Sequence, residues 1–208
     1  MDRPVKMHDI FKQTSSPVEY AREYSRNLAA YLDLMDWQAV AAVIECFWTA
    51  RAEGRTIYFV GNGGSAATAS HFANDLVKGT CVEGRPGFRS VSLTDNVPLM
   101  TALANDDGYE TVFTGQMRDL FNKGDVLVAI SVSGNSPNVV AAAKLAKERG
   151  GKTVGFVGVA GGALRQLCDI VVHVRSEKGE YGPVEDVHMV LDHLIMSYLS
   201  MRLRGEGR

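Results

Sequence analysis

Between Thr56 and Val174 the chain repeats one unit, a short apolar run, then glycine or serine, then a helical pattern, and this rhythm limits the fold more than any other feature. The runs are TIYFVGNGGS, FRSVSLTDN, DVLVAISVSGNS, TVGFVGVAGG and IVVHV, most of them apolar throughout rather than alternating. Strands of a parallel sheet read this way because helices cover both of their faces. Helical stretches near Ala66–Val77, Leu99–Ala104, Pro137–Arg149 and Ala163–Leu167 separate most of the runs, which makes the unit a right-handed βαβ crossover. The expected class is therefore α/β, a doubly wound parallel sheet of about five strands.

Two amphipathic helices precede the sheet. Ser16-Pro17-Val18-Glu19 is a capping box with proline at the first helical position, where its missing N–H is harmless. A second helix starts at Asp36, with Trp37, Val40, Ala41, Ile44, Phe47 and Trp48 forming an apolar stripe that Gly54 ends. A last helix is expected from Pro183 to about Leu203, burying Val187, Val190, Leu191, Leu194, Ile195, Tyr198 and Met201. Residues 1–208 read as one domain, with 1–54 a helical extension that either covers the sheet or joins a partner subunit.

Composition narrows the partner. Acidic and basic residues number 24 and 22, a net charge of −2, so no basic field recommends nucleic acid or an anionic membrane surface. No segment approaches about 18 uninterrupted apolar residues, and MDRPVKMHDI lacks the apolar core of a signal peptide. Cys46, Cys81 and Cys168 are scattered and odd in number, which points to a reducing, cytoplasmic setting.

Open parallel sheets bind ligands where strands end and helices begin, because helix N-termini there present unpaired N–H groups. Two such turns are unusual here: Gly61-Asn62-Gly63-Gly64-Ser65 and Ser131-Val132-Ser133-Gly134-Asn135-Ser136-Pro137. Glycines let the backbone approach an anion and serine hydroxyls add donors without net charge, a combination suited to phosphate. The same turns also serve plain packing and capping, with Ser136 placed to cap the following helix. GxxxxGK[ST] is absent, and GNGGSA meets the dinucleotide pattern only loosely, with Asp95 later than the expected spacing of about 20 residues. His71 and Asp75 lie on one face of a helix. On the last helix Glu185, His188 and Asp192 share a polar face that reads as solvated, while His193 sits at the edge of the apolar stripe.

Taken together, GNGGSAATASHFANDL, SLTDN, ALANDDGYE, GDVLVAISVSGNSPN and EDVHMVLDH resemble the phosphoheptose isomerases, sugar isomerase (SIS) domain enzymes of flavodoxin-like topology. The resemblance implies an aldose–ketose isomerase that converts sedoheptulose 7-phosphate to D-glycero-D-manno-heptose 7-phosphate through an enediol. It places the phosphate loop at Ser131, Val132, Ser133 and Ser136, and sugar contacts at Asn62, Gly63, Gly64, Ser65, Thr94, Asp95 and Glu185. It makes Asp75 and His193 the acid/base pair, and His71, Asp75, Glu185 and His193 the ligands of a divalent metal, zinc in the usual case. A homotetramer with sites between subunits is also implied.

Three positions depart from the family pattern: Asp75 stands for glutamate, Glu185 for glutamine and Val132 for threonine. The first retracts a carboxylate by about one bond length, which matters when reacting atoms must come within about 3.5 Å. The second adds a charge that favours a cation. Two other readings stay open: a non-catalytic SIS adaptor that binds a replication-initiator protein, and an isomerase of another phosphosugar.

Overall fold

The computed structural model describes residues 4–205. Five strands, β1 (Thr56–Val60), β2 (Arg89–Ser92), β3 (Val126–Ser131), β4 (Lys152–Val157) and β5 (Ile170–His173), form one sheet in the order β2-β1-β3-β4-β5. All four pairings are parallel. This is the flavodoxin-like order, with the chain reversing direction across the sheet between β1 and β3. The glycine-serine turns after these two strands therefore lie side by side at its carboxyl edge.

Three helices precede β1: α1 (Met7–Gln13), α2 (Pro17–Asp33) and α3 (Trp37–Ala52). Ser16 Oγ accepts from Glu19 N at 3.2 Å, and Glu19 accepts in turn from Ser15 N at 2.7 Å, one residue earlier than a regular capping box. Asp36 Oδ1 caps α3 through Gln38 N and Ala39 N at 3.0 and 3.2 Å. The buried stripe of α3 is Val40, Val43, Ile44, Phe47 and Ala50; Trp37 is exposed, and Trp48 is half-buried under the guanidinium of Arg202.

Beyond β1 come α4 (Gly64–Asn74), α5 (Val97–Asp106), α6 (Thr114–Leu120), α7 (Pro137–Glu148), α8 (Leu164–Leu167) and α9 (Tyr181–Arg204). Strands β1, β3, β4 and β5 send alternate residues to two cores. Ile57, Phe59, Val128 and Phe156 meet Phe47 of α3, Phe72 of α4 and Leu191 of α9. Tyr58, Leu127, Ala129 and Val157 meet Met117 of α6, Ala142 and Ala146 of α7 and Leu164 of α8. The Phe72 ring lies 4.9 Å from Phe59 and 5.8 Å from Phe47, centre to centre, which fixes the rotation of α4 and the direction of its polar face.

Four features differ from the sequence reading. The stretch read as helix from Ala66 to Val77 begins at Gly64 and passes at Asp75 into a π-helical turn, Asp75–Gly79. Short α1 and α6 carry too few apolar residues to show a period. On α9 only Val187, Leu191 and Ile195 of the expected stripe are fully buried, while Leu194, Tyr198 and Met201 are exposed. His188 and Asp192, read as solvated, are buried to 1% and 0% exposure. Among the described residues no helix is long and apolar enough to cross a membrane.

Candidate active site

The turns after β1 and β3 enclose a cavity of about 110 Å³ lined by Asn62, Ser65, Ser131, Ser133, Ser136 and Glu185, among others. Ser131 Oγ lies 3.4 Å from Ser133 Oγ and 3.2 Å from Ser136 Oγ. Backbone amides occupy part of their acceptor capacity: Gly134 N donates to Ser131 Oγ and Asn135 N to Ser133 Oγ, both at 3.2 Å. The hydroxyl protons are thereby biased outward, toward an acceptor. Ser136 stands at the N-terminus of α7 but makes no side-chain cap; its hydroxyl turns toward Ser131 instead. In the first turn of α7 Pro137 has no N–H, Val139 N donates to Asn138 Oδ1 and Val140 N to Ser136 O, which leaves Asn138 N without an acceptor among the described residues at the positive end of a 12-residue helix. Val132 is 5% exposed with its side chain in the core, so it serves the turn through its backbone.

Asn62 is fixed from behind. It exchanges two 2.9 Å hydrogen bonds with Asn138, which is 1% exposed, and its Oδ1 accepts from Tyr109 Oη at 3.0 Å. Neither supporting residue was a sequence candidate, although Asn138 directly follows the Ser136-Pro137 start of α7. Gly63 turns the chain into α4 at φ +56°, and at Gly64 the absence of a Cβ leaves the space that the Glu185 carboxylate occupies. Thr94 and Asp95 lie away from the serine cavity. They flank α4, with Thr94 Oγ1 2.8 Å from Ser70 Oγ and Asp95 hydrogen-bonded to the same hydroxyl.

Helices α4 and α9 run side by side in register. Gly64 faces Glu185, and about two turns further along both helices His71 faces Asp192. At that second level His71, Asp75, Asp192 and His193 each bring a ligand-type atom within 4.8 Å of the others, a group able to hold a metal ion. His71 Nδ1 is 2.8 Å from Asp192 Oδ2 and 3.8 Å from Asp75 Oδ2; His193 Nε2 is 3.9 Å from Asp75 Oδ2. The imidazoles of His71 and His193 meet edge to face at 5.1 Å. Glu185 is not in this group. It sits about two turns, or about 10 Å, earlier on α9 than Asp192 and lines the serine cavity. Asp75 opens the π-helical turn, a local widening that often marks functional sites.

Burial sets the charges. The Asp192 carboxyl is pushed up to about 6 by burial, with the Asp75 charge adding and the His71 hydrogen bond opposing. Glu185 is raised in the same way, by burial and then by Asp186. His188 lies edge-on to Phe156 at 5.7 Å, neither ring nitrogen holds a hydrogen bond of normal geometry, and burial pulls it down to about 4, the nearby Val157 carbonyl offsetting little. A depressed imidazole contributes stability that is whole above its ordinary pKa and lost as pH falls through the lowered one. His188→Leu should therefore gain about 3 kcal/mol of stability relative to wild type between about pH 7 and pH 4, read by urea unfolding at each pH. Asp192 acts in the opposite sense, so wild type and variant are compared at the same pH.

Comparison with known proteins places this geometry. Residues 19–158 match the SIS domain family. The phosphoheptose isomerase of Burkholderia pseudomallei (strain 1710b) is 41% identical over 155 residues, 74% of this chain and 77% of that protein. Among solved structures, the phosphoheptose isomerase of Neisseria gonorrhoeae superposes with a TM-score of 0.77 at 30% identity, covering 88% of this chain and 95% of the other. A phosphoheptose isomerase from Francisella tularensis shares the fold with a TM-score of 0.79 at 22% identity, covering 90% and 100%. The turns, the paired helices and these matches together show that the chain belongs to the phosphoheptose isomerase family of SIS domain proteins.

Proposed function

We propose that the protein isomerises sedoheptulose 7-phosphate to D-glycero-D-manno-heptose 7-phosphate, with phosphate in the serine turn and Asp75 and His193 moving the proton between C1 and C2. The observation that carries this reading is the register of α4 against α9, which puts Glu185 at the serine cavity and brings Asp75 and His193 within 3.9 Å of each other further along the same two helices. From C2 to phosphorus an open-chain heptose 7-phosphate has seven bonds, about 8 Å at the extension of roughly 1.2 Å per bond seen in extended chains. The helix rise from Ser65 to His71, whose Nδ1 lies 3.8 Å from the Asp75 carboxylate, is about 9 Å.

The phosphate accepts hydrogen bonds from the hydroxyls of Ser131, Ser133 and Ser136 and from Asn138 N at the start of α7. This grip, remote from the reacting carbons, orients the sugar. Asn62, held by Asn138 and Tyr109, meets the sugar hydroxyls beside Ser65. Asp75 Oδ2 then takes a proton from carbon while His193 Nε2 protonates the oxygen of the forming enediol, and the roles exchange in the reverse direction. Two imidazoles and a carboxylate, those of His71, Asp75 and His193, form a donor set that suits a divalent cation of the zinc class, with Asp192 behind His71 and Glu185 too far along α9 to join them. When bound, it supplies Lewis-acid polarisation of the carbonyl. Self-association as a homotetramer fits the exposed Leu194, Tyr198 and Met201 on α9 and an α5 without a buried residue. A cytoplasmic setting suits a phosphorylated substrate.

The adaptor reading is not favoured, since Asp75 and His193 are retained within 3.9 Å of each other. Incubation with a panel of ketose and aldose phosphates in deuterated water tests the proposal. Deuterium at C2 of the heptose product is expected; exchange with a different sugar alone, or with none, overturns the substrate or the activity respectively.

A further inference from the structure

Asp192 interrupts the most deeply buried stretch of α9, between Leu191 and Ile195 in sequence, and its side chain is 0% exposed. Burying a carboxylate costs several kcal/mol unless hydrogen bonds compensate, so such a group is tolerated where its partner needs it. Among the described residues that partner is a single atom: Oδ2 lies 2.8 Å from His71 Nδ1, while Oδ1 has no hydrogen-bond partner. A residue serving only to tie α9 to α4 has simpler solutions, and the helices are already joined through Phe72, Leu76, Leu191 and Ile195. The carboxylate selects one chemical state of the ring. An ionised carboxylate only accepts, so Nδ1 of a neutral His71 must carry the proton and Nε2 must carry the lone pair.

We propose that Asp192 is the positioning residue of the site, holding His71 in the Nδ1–H tautomer so that Nε2 is the nitrogen offered to substrate or cation. Its role in turnover rests on the function proposed above; the tautomer itself does not. Nothing in the sequence reading or the family resemblance gave Asp192 this task. The carboxylate–imidazole pair is a general device for orienting a working histidine, and loss of such an outer partner typically lowers activity or metal affinity roughly 10- to 100-fold.

Nitrogen-detected NMR of the imidazoles, recorded on apo protein at about pH 8 where imidazoles are neutral, tests this directly. The chain has five histidines, and the His71 signal is assigned by its disappearance in His71→Gln. Wild type is expected to show Nδ1 protonated and Nε2 bare. In Asp192→Asn the amide is able to donate to Nδ1 and release the ring to the Nε2–H form, with kcat falling roughly 10- to 100-fold at nearly unchanged KM. Wild-type His71 carrying its proton on Nε2 overturns the proposal without any variant being needed. An Asp192→Asn protein that keeps both the wild-type tautomer and the wild-type kcat overturns it as well. A fixed Nδ1–H tautomer in a protein that turns over no phosphosugar leaves this inference standing and sinks the function.

Discussion

Asp75→Asn is expected to lower turnover of sedoheptulose 7-phosphate by roughly 100- to 10,000-fold, and His193→Asn by a similar factor, the range for removing a positioned acid or base. The substitution at 75 keeps the shape of the side chain and takes away its ability to receive a proton. Both positions tolerate change structurally. The Asp75 side chain is 17% exposed and that of His193 55%, and neither belongs to an apolar core, so the melting temperature should scarcely move. Because the pair acts as a unit, the double variant should lose little more than the worse single variant. Metal content measured on the same preparations separates a lost ligand from a lost proton acceptor. Full turnover in both single variants contradicts the assignment.

Gly134→Ala should be the most damaging single-methyl change at the phosphate end. Gly134 has φ +66°, and a Cβ there would run into the Gly161 carbonyl oxygen and lie 3.0 Å from Gly162 N. The left-handed conformation alone costs an alanine about 1–2 kcal/mol. Relieving the clash also displaces two hydrogen bonds, Leu164 N to Gly134 O at 3.0 Å and Gly134 N to Ser131 Oγ at 3.2 Å, each worth about 1 kcal/mol. A loss of about 3 kcal/mol in unfolding free energy is expected, with KM for the phosphosugar rising at least about tenfold in the protein that remains folded. Gly84→Ala is the control, since φ is +74° there but the space around a Cβ is open. If the two variants lose equal stability, backbone strain alone explains Gly134 and the packed turn has no special role.

The parallel sheet and both glycine-serine turns were legible in the sequence, because a central strand buried on both faces, as β1 and β3 are, leaves an uninterrupted apolar run and a helix entry leaves glycine and serine. The working end was less legible. Asp75 follows the α-helical pattern of α4, so nothing local announces that the backbone widens there into a π-helical turn. His188 and Asp192 are polar residues on a helix whose other side carries Leu194, Tyr198 and Met201, and periodicity assigns the apolar side to the core. The helix instead buries Leu191 and Ile195 together with His188 and Asp192 and leaves the three others exposed. Glu185 shares the inward direction of Asp192, but spacing along one helix does not reveal which level of the neighbouring helix each faces. The register of α4 against α9 settles that, pairing Glu185 with Gly64 and Asp192 with His71.

A crystal structure of Asp75→Asn soaked with sedoheptulose 7-phosphate tests this placement of the substrate most directly. The account predicts phosphorus over the hydroxyls of Ser131, Ser133 and Ser136, with C1 and C2 within about 3.5 Å of His193 Nε2 and the residue-75 side chain. A sugar held by that serine turn with both carbons directed away from α4 and α9, in every copy of the assembly, would contradict it.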